Sequence, residues 1–136
     1  MIVNEKNLIP YSTENDRQPF LEWIAGTDRK TRMMVLTRLQ RVRLGNFGDC
    51  PFIKGANSDL IRELRFFDPG GTRIYIRENG KDIILFLVAG DKDSQNKDIS
   101  KAKEYWQDYK FRNPLMKETI FDWLHKINKG GKNEKI

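Results

Sequence analysis

The chain has 136 residues, with 25 Lys and Arg against 19 Asp and Glu and a formal net charge of +6. That length has room for one compact domain burying roughly two thirds of its unfolded surface, and a single cysteine, Cys50, excludes an intrachain disulfide and any metal site built on several thiolates. No apolar run approaches the ~20 residues of a membrane helix and the N-terminus lacks a secretory pattern, so a cytoplasmic protein is expected, with a charge that suits a phosphate-rich partner.

Leu8 and Ile9, in an otherwise polar N-terminal stretch, predict a short edge strand before Pro10. From Pro19 the pattern turns helical, because Phe20, Trp23 and Ile24 fall at i, i+3 and i+4 on one face of a helix that fades near Gly26. Asp28 is placed to cap a second helix over 29–44, with Met34, Val35, Leu39 and Val42 in one stripe, Met33 and Leu36 widening it, and Gly45 stopping it. Residues 45–49 read as a turn and the stretch to Ser58 as a loop holding Lys54.

Three strands are predicted next, over 61–67, 73–77 and 83–89. Asp68-Pro69-Gly70-Gly71 joins the first two, and Glu78-Asn79-Gly80 is a hairpin signal between the second and third. The third is nearly all apolar, the mark of a buried central strand. A helix from 93 or 94 to 109 follows, with Ile99, Ala102, Tyr105 and Trp106 at helical spacing. Asn113-Pro114 breaks it, and a further amphipathic segment over 115–129 carries Ile120, Phe121, Leu124 and Ile127 before a polar tail expected to lack structure. The order predicts a small α+β domain over 1–110, with helices packed on one face of a curled antiparallel sheet, and an extension over 111–136 with an appended C-terminal helix.

Three blocks hold a fixed cation near a turn or in a strand: Glu63-Leu64-Arg65, Gly70-Gly71-Thr72-Arg73-Ile74-Tyr75 and Gly90-Asp91-Lys92. They put Arg65, Arg73 and Lys92 on neighbouring strands or strand ends, where one anionic ligand can meet all three. A separate basic face is expected on the second helix from Arg29, Lys30, Arg32, Arg38, Arg41 and Arg43, with Arg38 and Arg41 adjacent at i, i+3. It suits ribosomal RNA, an acidic partner, or simple solvation.

In this order the blocks resemble the RelE/ParE superfamily of bacterial toxins, and most of all its phage-derived, HigB-like killer-protein branch. The residues that carry the resemblance are Phe20 and Trp23, then Arg38-Leu39, then residues 44–49, then the three blocks, followed by Gln95, Lys97, Asp98, Ile99 and Ala102. They span about two thirds of the chain. Thr72 departs from the pattern, standing where an aromatic residue often precedes the strand arginine, and the tail after Lys110 has no counterpart in compact members. The resemblance implies a toxin silenced by a cognate antitoxin. RelE- and HigB-like members cleave mRNA on the ribosome and ParE-like members poison DNA gyrase, so fold alone does not choose between them.

Metal-free RNA cleavage must deprotonate the 2′-hydroxyl, stabilise the phosphorane and protonate the leaving 5′-oxygen. Arginine suits the second task, since its fork bonds two phosphate oxygens and keeps its charge. Arg65 and Arg73 are the candidates, against their reading as sheet arginines paired to Glu63 or Glu78. Tyr75, on the strand face of Arg73, is set to stack on a base or donate a proton, unless it is a core aromatic. Lys92 is the candidate base, unless Asp91 or Asp93 holds it as an ion pair. Lys54 and Arg62 extend the possible phosphate track.

No cofactor or metal is expected, because one histidine and one cysteine make no spaced ligand set, and Asp68-Pro69-Gly70-Gly71 lacks the lysine and hydroxyl of a P-loop. His125 reads as a surface residue. A ParE-like gyrase poison without a catalytic step is the alternative function, and a silenced interaction protein covered by its own C-terminal helix is a third.

Overall fold

A computed structural model describes residues 4–55 and 58–113, together with Leu124. The expected helix over 115–129, the polar tail and His125 lie outside the described residues. The elements run β1 (Asn7–Pro10), α1 (Pro19–Ala25), α2 (Arg29–Arg43), β2 (Arg62–Arg65), β3 (Arg73–Asn79), β4 (Ile83–Gly90), a single 3-10 turn (Lys92–Ser94) and α3 (Gln95–Arg112). The fold is α+β, as the element order predicts. Among the described residues no helix is long and apolar enough to cross a membrane.

Local signals set most boundaries. Pro19 occupies the first turn of α1, where its missing N–H costs nothing. Asp28 caps α2 by accepting from the Thr31 N–H at 2.7 Å. Asp91 and Ser94 form a reciprocal capping box at the start of the 3-10 turn. α3 runs three residues past the expected end at 109, to Arg112, and Asn113 Nδ2 then donates to the Tyr109 carbonyl at 2.8 Å.

The sheet order is β1-β4-β3-β2. β2, β3 and β4 form an antiparallel meander, whereas β1 runs parallel to β4, so the sheet is mixed where the sequence predicted an antiparallel one. Between Tyr75 and Ile76 the register shifts, because Tyr75 faces Val88 and Ile76 faces Phe86. That bulge gives β4 one extra residue and sharpens the local twist.

The expectation of helices on one face is corrected by the two cores. Phe20, Val35 and Val42 of α1 and α2 pack with Leu64, Ile74, Ile76, Ile84 and Phe86 on one face. Ala102 and Trp106 of α3 pack with Tyr75, Leu85 and Leu87 on the other. Burial of both faces is why β4 reads as an unbroken apolar run, each large side chain contributing about 1.5–3 kcal/mol. The α2 stripe is also narrower than expected: Val35 and Val42 are buried, while Met33 and Leu36 are each 48% exposed.

Gly90, at the end of β4, lies against the first turn of α3. A Cβ there would stand 2.0 Å from Asp98 Oδ2 and 2.4 Å from Ser94 Oγ, so only glycine allows this approach. Cys50 is a buried free thiol that burial pushes up to about 11, as suits a packing residue.

Candidate functional site

The pairing of β2, β3 and β4 brings the three blocks together. Arg65 is the cross-strand partner of Arg73, and Arg73 is in turn the partner of Gly90. Directly opposed residues share a sheet face, so Glu63, Arg65, Arg73 and Tyr75 lie on the α3 side. Lys92 follows in the 3-10 turn, where its N–H donates to the Gly70 carbonyl at 3.2 Å. Gly71, at φ +66°, is where the two ends meet: a Cβ on it would lie 3.1 Å from both Arg73 Nη1 and Lys92 Cβ.

Glu63 is the centre of the arrangement, and sequence reasoning treated it only as a pairing partner. It is 3% exposed. Its Oε2 accepts from the Tyr75 hydroxyl at 2.8 Å and from Gln95 Nε2 at 2.9 Å, and Arg65 Nε donates to Oε1 at 3.0 Å. Arg73 Nε lies 3.5 Å from Oε2 as an ion pair. Burial alone would raise this carboxyl; the hydrogen bonds from Tyr75, Arg65 and Gln95 and the charge of Arg73 outweigh it and hold the group below the usual glutamate range. The signal in the sequence was the two-residue spacing of Glu63 and Arg65, which puts both on one strand face.

Glu63 therefore holds Arg65 by a hydrogen bond from its Nε, and Arg73 by charge alone, the buried Arg73 Nε making no hydrogen bond among the described residues. Arg73 Nη1 donates to the Gly71 carbonyl at 2.9 Å. Among the described residues, Arg73 Nη2, both terminal amino groups of Arg65 and the Lys92 ammonium have no protein partner. Asp91, one of the two carboxylates offered as an ion-pair partner for Lys92, instead caps the 3-10 turn. The Arg65 side chain is 42% exposed and that of Arg73 21%, so both present donors at the surface from fixed stems.

Tyr75 lies on the Arg73 face as the spacing requires, but it is fully buried. Burial and the bond to Glu63 push its phenol far above the ordinary tyrosine range. Base stacking and proton donation by Tyr75 are thus corrected to a positioning role, in which its hydroxyl fixes Glu63.

The expected RNA-contacting residues are dispersed. Arg38 is corrected from a surface contact to a buried tie, 8% exposed. Its guanidinium donates to the carbonyls of Phe47, Arg65 and Asp49 at 2.9, 2.7 and 2.9 Å and lies 4.8 Å from the Phe66 ring centroid. Arg62 points to the opposite sheet face from Arg65, pairing with Glu78 at 3.0 Å and packing over Phe47 and Phe52. Arg41 and Lys54 are exposed, Arg41 in the last turn of α2 and Lys54 in the loop before β2.

An open groove of about 970 Å³ lies beside the cations, between the α1–α2 junction and the hairpin. Trp23, Met34 and Ala89 line it along with Asp28, Asp68, Asp91, Asp93 and Asp98. Lys30 and Lys97 line it as well, but the carboxylates outnumber them and disfavour phosphate; neither Arg65 nor Arg73 lines it. The Arg65–Arg73–Lys92 ridge therefore lies outside this groove. No cluster of His, Cys, Asp and Glu fit to hold a metal occurs among the described residues.

No known family model matches the chain. Over 74 residues it is 38% identical to a protein of Haemophilus influenzae described as an uncharacterized protein, a match covering 54% of this chain and 71% of the relative. The chain belongs to the same family as that Haemophilus influenzae protein.

Proposed function

We propose that the protein is a ribosome-dependent, metal-independent mRNA endoribonuclease of the RelE/ParE type, the toxin of a toxin–antitoxin pair. The observation that carries this reading is that one buried carboxylate gathers two strand arginines, Arg65 by a hydrogen bond and Arg73 by an ion pair, with Lys92 meeting Arg73 at Gly71. Two guanidinium groups with fixed stems suit the spread charge of a phosphorane, and preorganised donors of this kind are worth roughly 10²–10³-fold each. Lys92 is the exposed group there able to carry a proton to or from the reacting oxygens. Glu63, Tyr75 and Gln95 are positioning residues. A cognate antitoxin would silence the protein by covering the cations.

The gyrase-poison reading is favoured by one observation, the burial of Tyr75, which removes one of the two groups expected to move protons. Pulse labelling of protein and DNA synthesis after induction in bacteria separates the two. Early loss of protein synthesis, abolished by Arg73→Ala with the fold intact, is the expected result. Early loss of DNA synthesis would move the assignment to gyrase, and arrest by a folded Arg73→Ala variant would sink the nuclease.

A further inference from the structure

Phe67 stands out beside the cation ridge. It is 89% exposed, while its neighbour Phe66 is 7% exposed in the core under α1 and α2. Burying a phenylalanine is worth about 1.5–3 kcal/mol, and this one contributes nothing to the fold. The Phe66 N–H bonds the Thr72 carbonyl at 3.0 Å, so pairing reaches one residue past β2 and Phe67 opens the connection to β3, two residues after Arg65. Two residues of extended chain span at most about 7 Å, the reach from a phosphate to a base of the same strand.

The mount is rigid. Asp68 accepts from the Thr72 N–H at 2.8 Å and from Thr72 Oγ1 at 2.7 Å, and its carbonyl accepts from the Gly71 N–H at 2.9 Å. Pro69 stiffens the turn further. The other exposed rings among the described residues lack this setting. Arg62 already covers Phe52, and Phe111 sits between Lys110 and Arg112, which are spent on Asp59 and Asp108.

We infer that Phe67 is a base-stacking platform, receiving a nucleobase of a single-stranded RNA whose phosphate lies on Arg65, Arg73 and Lys92; this rests on the nuclease reading above. Stacking on an exposed ring is the usual way single-stranded RNA is held, because every base presents a flat face whatever its sequence.

The test is fluorescence anisotropy with an 8-mer oligoadenylate, 2′-O-methylated so that it is not cleaved, against an abasic strand of the same length. Phe67→Ala should weaken adenylate binding about tenfold and Phe67→Trp hold it within about twofold, with wild type and Phe67→Ala alike on the abasic strand. Unchanged adenylate binding by Phe67→Ala, or an equal loss on the abasic strand, overturns the platform. Arg73→Ala tests the cations separately: if it binds like wild type while Phe67→Ala does not, the phosphate reading falls and the platform stands. Wild-type protein that binds neither strand overturns both.

Discussion

Replacing Glu63 with glutamine keeps the shape and removes the charge, so it tests the centre of the site. The buried carboxylate receives three donors and faces a fourth, Arg73 Nε, at 3.5 Å. An amide has one acceptor oxygen, so at least one of these donors must face the new NH₂. Breaking a buried pair by removing one partner costs about 3–5 kcal/mol, and the half-exposed Arg65 recovers part of its share from water. About 3 kcal/mol is therefore expected, a large fraction of the 5–15 kcal/mol typical of a whole domain. The pH dependence has a fixed sign. The folded carboxyl is held below its unfolded value, so its contribution is present above about pH 4.5 and is lost as pH falls through the folded value. Urea unfolding followed by tryptophan fluorescence should show Glu63→Gln well below wild type at pH 7, with the gap narrowing at pH 3. A loss under about 1 kcal/mol at pH 7, or a gap that stays constant on acidification, would show that the Glu63 charge does not hold this cluster together.

Arg38→Ala removes a guanidinium bonded to three carbonyls and should cost about 3–5 kcal/mol. Arg41→Ala, on the exposed side of the same helix, should stay within about 0.5 kcal/mol; equal melting temperatures for the two variants would contradict the buried tie. Gly90→Ala puts a methyl group 2.0 Å from Asp98 Oδ2 and should cost about 1–3 kcal/mol of overpacking, read as a lowered urea midpoint. Asp98 is 5% exposed, and burial raises its carboxyl above the ordinary range although Ser94 Oγ bonds it at 2.5 Å. Its folded form holds the proton more tightly than the unfolded chain, so this group's contribution is full below the unfolded value and lost as pH rises through the folded one. Asp98→Asn should accordingly be neutral or stabilising at pH 7, and a loss above about 1 kcal/mol there would count against that account.

The α+β element order was legible before any tertiary contact, because helical and strand periodicities and the punctuation by Pro19, Asp28, Gly45 and Asn79-Gly80 are local signals. The sequence also brought Arg65, Arg73 and Lys92 to one hairpin end, since short antiparallel connections leave little freedom in how those strands pair. What it left undecided is how far each polar group is buried. Arg38 and Arg41 look equivalent at i, i+3, yet only packing of α2 across β2 turns Arg38 inward onto three carbonyls while Arg41 stays in solvent. Tyr75 and Arg73 share a strand face, but α3 closes over Tyr75 and leaves the arginine's terminal groups at the rim. The role of Glu63 arises only when β2, β3 and α3 converge. A buried carboxylate is tolerated where several donors surround it, and those donors come from positions 65, 73, 75 and 95, whose convergence no local pattern records.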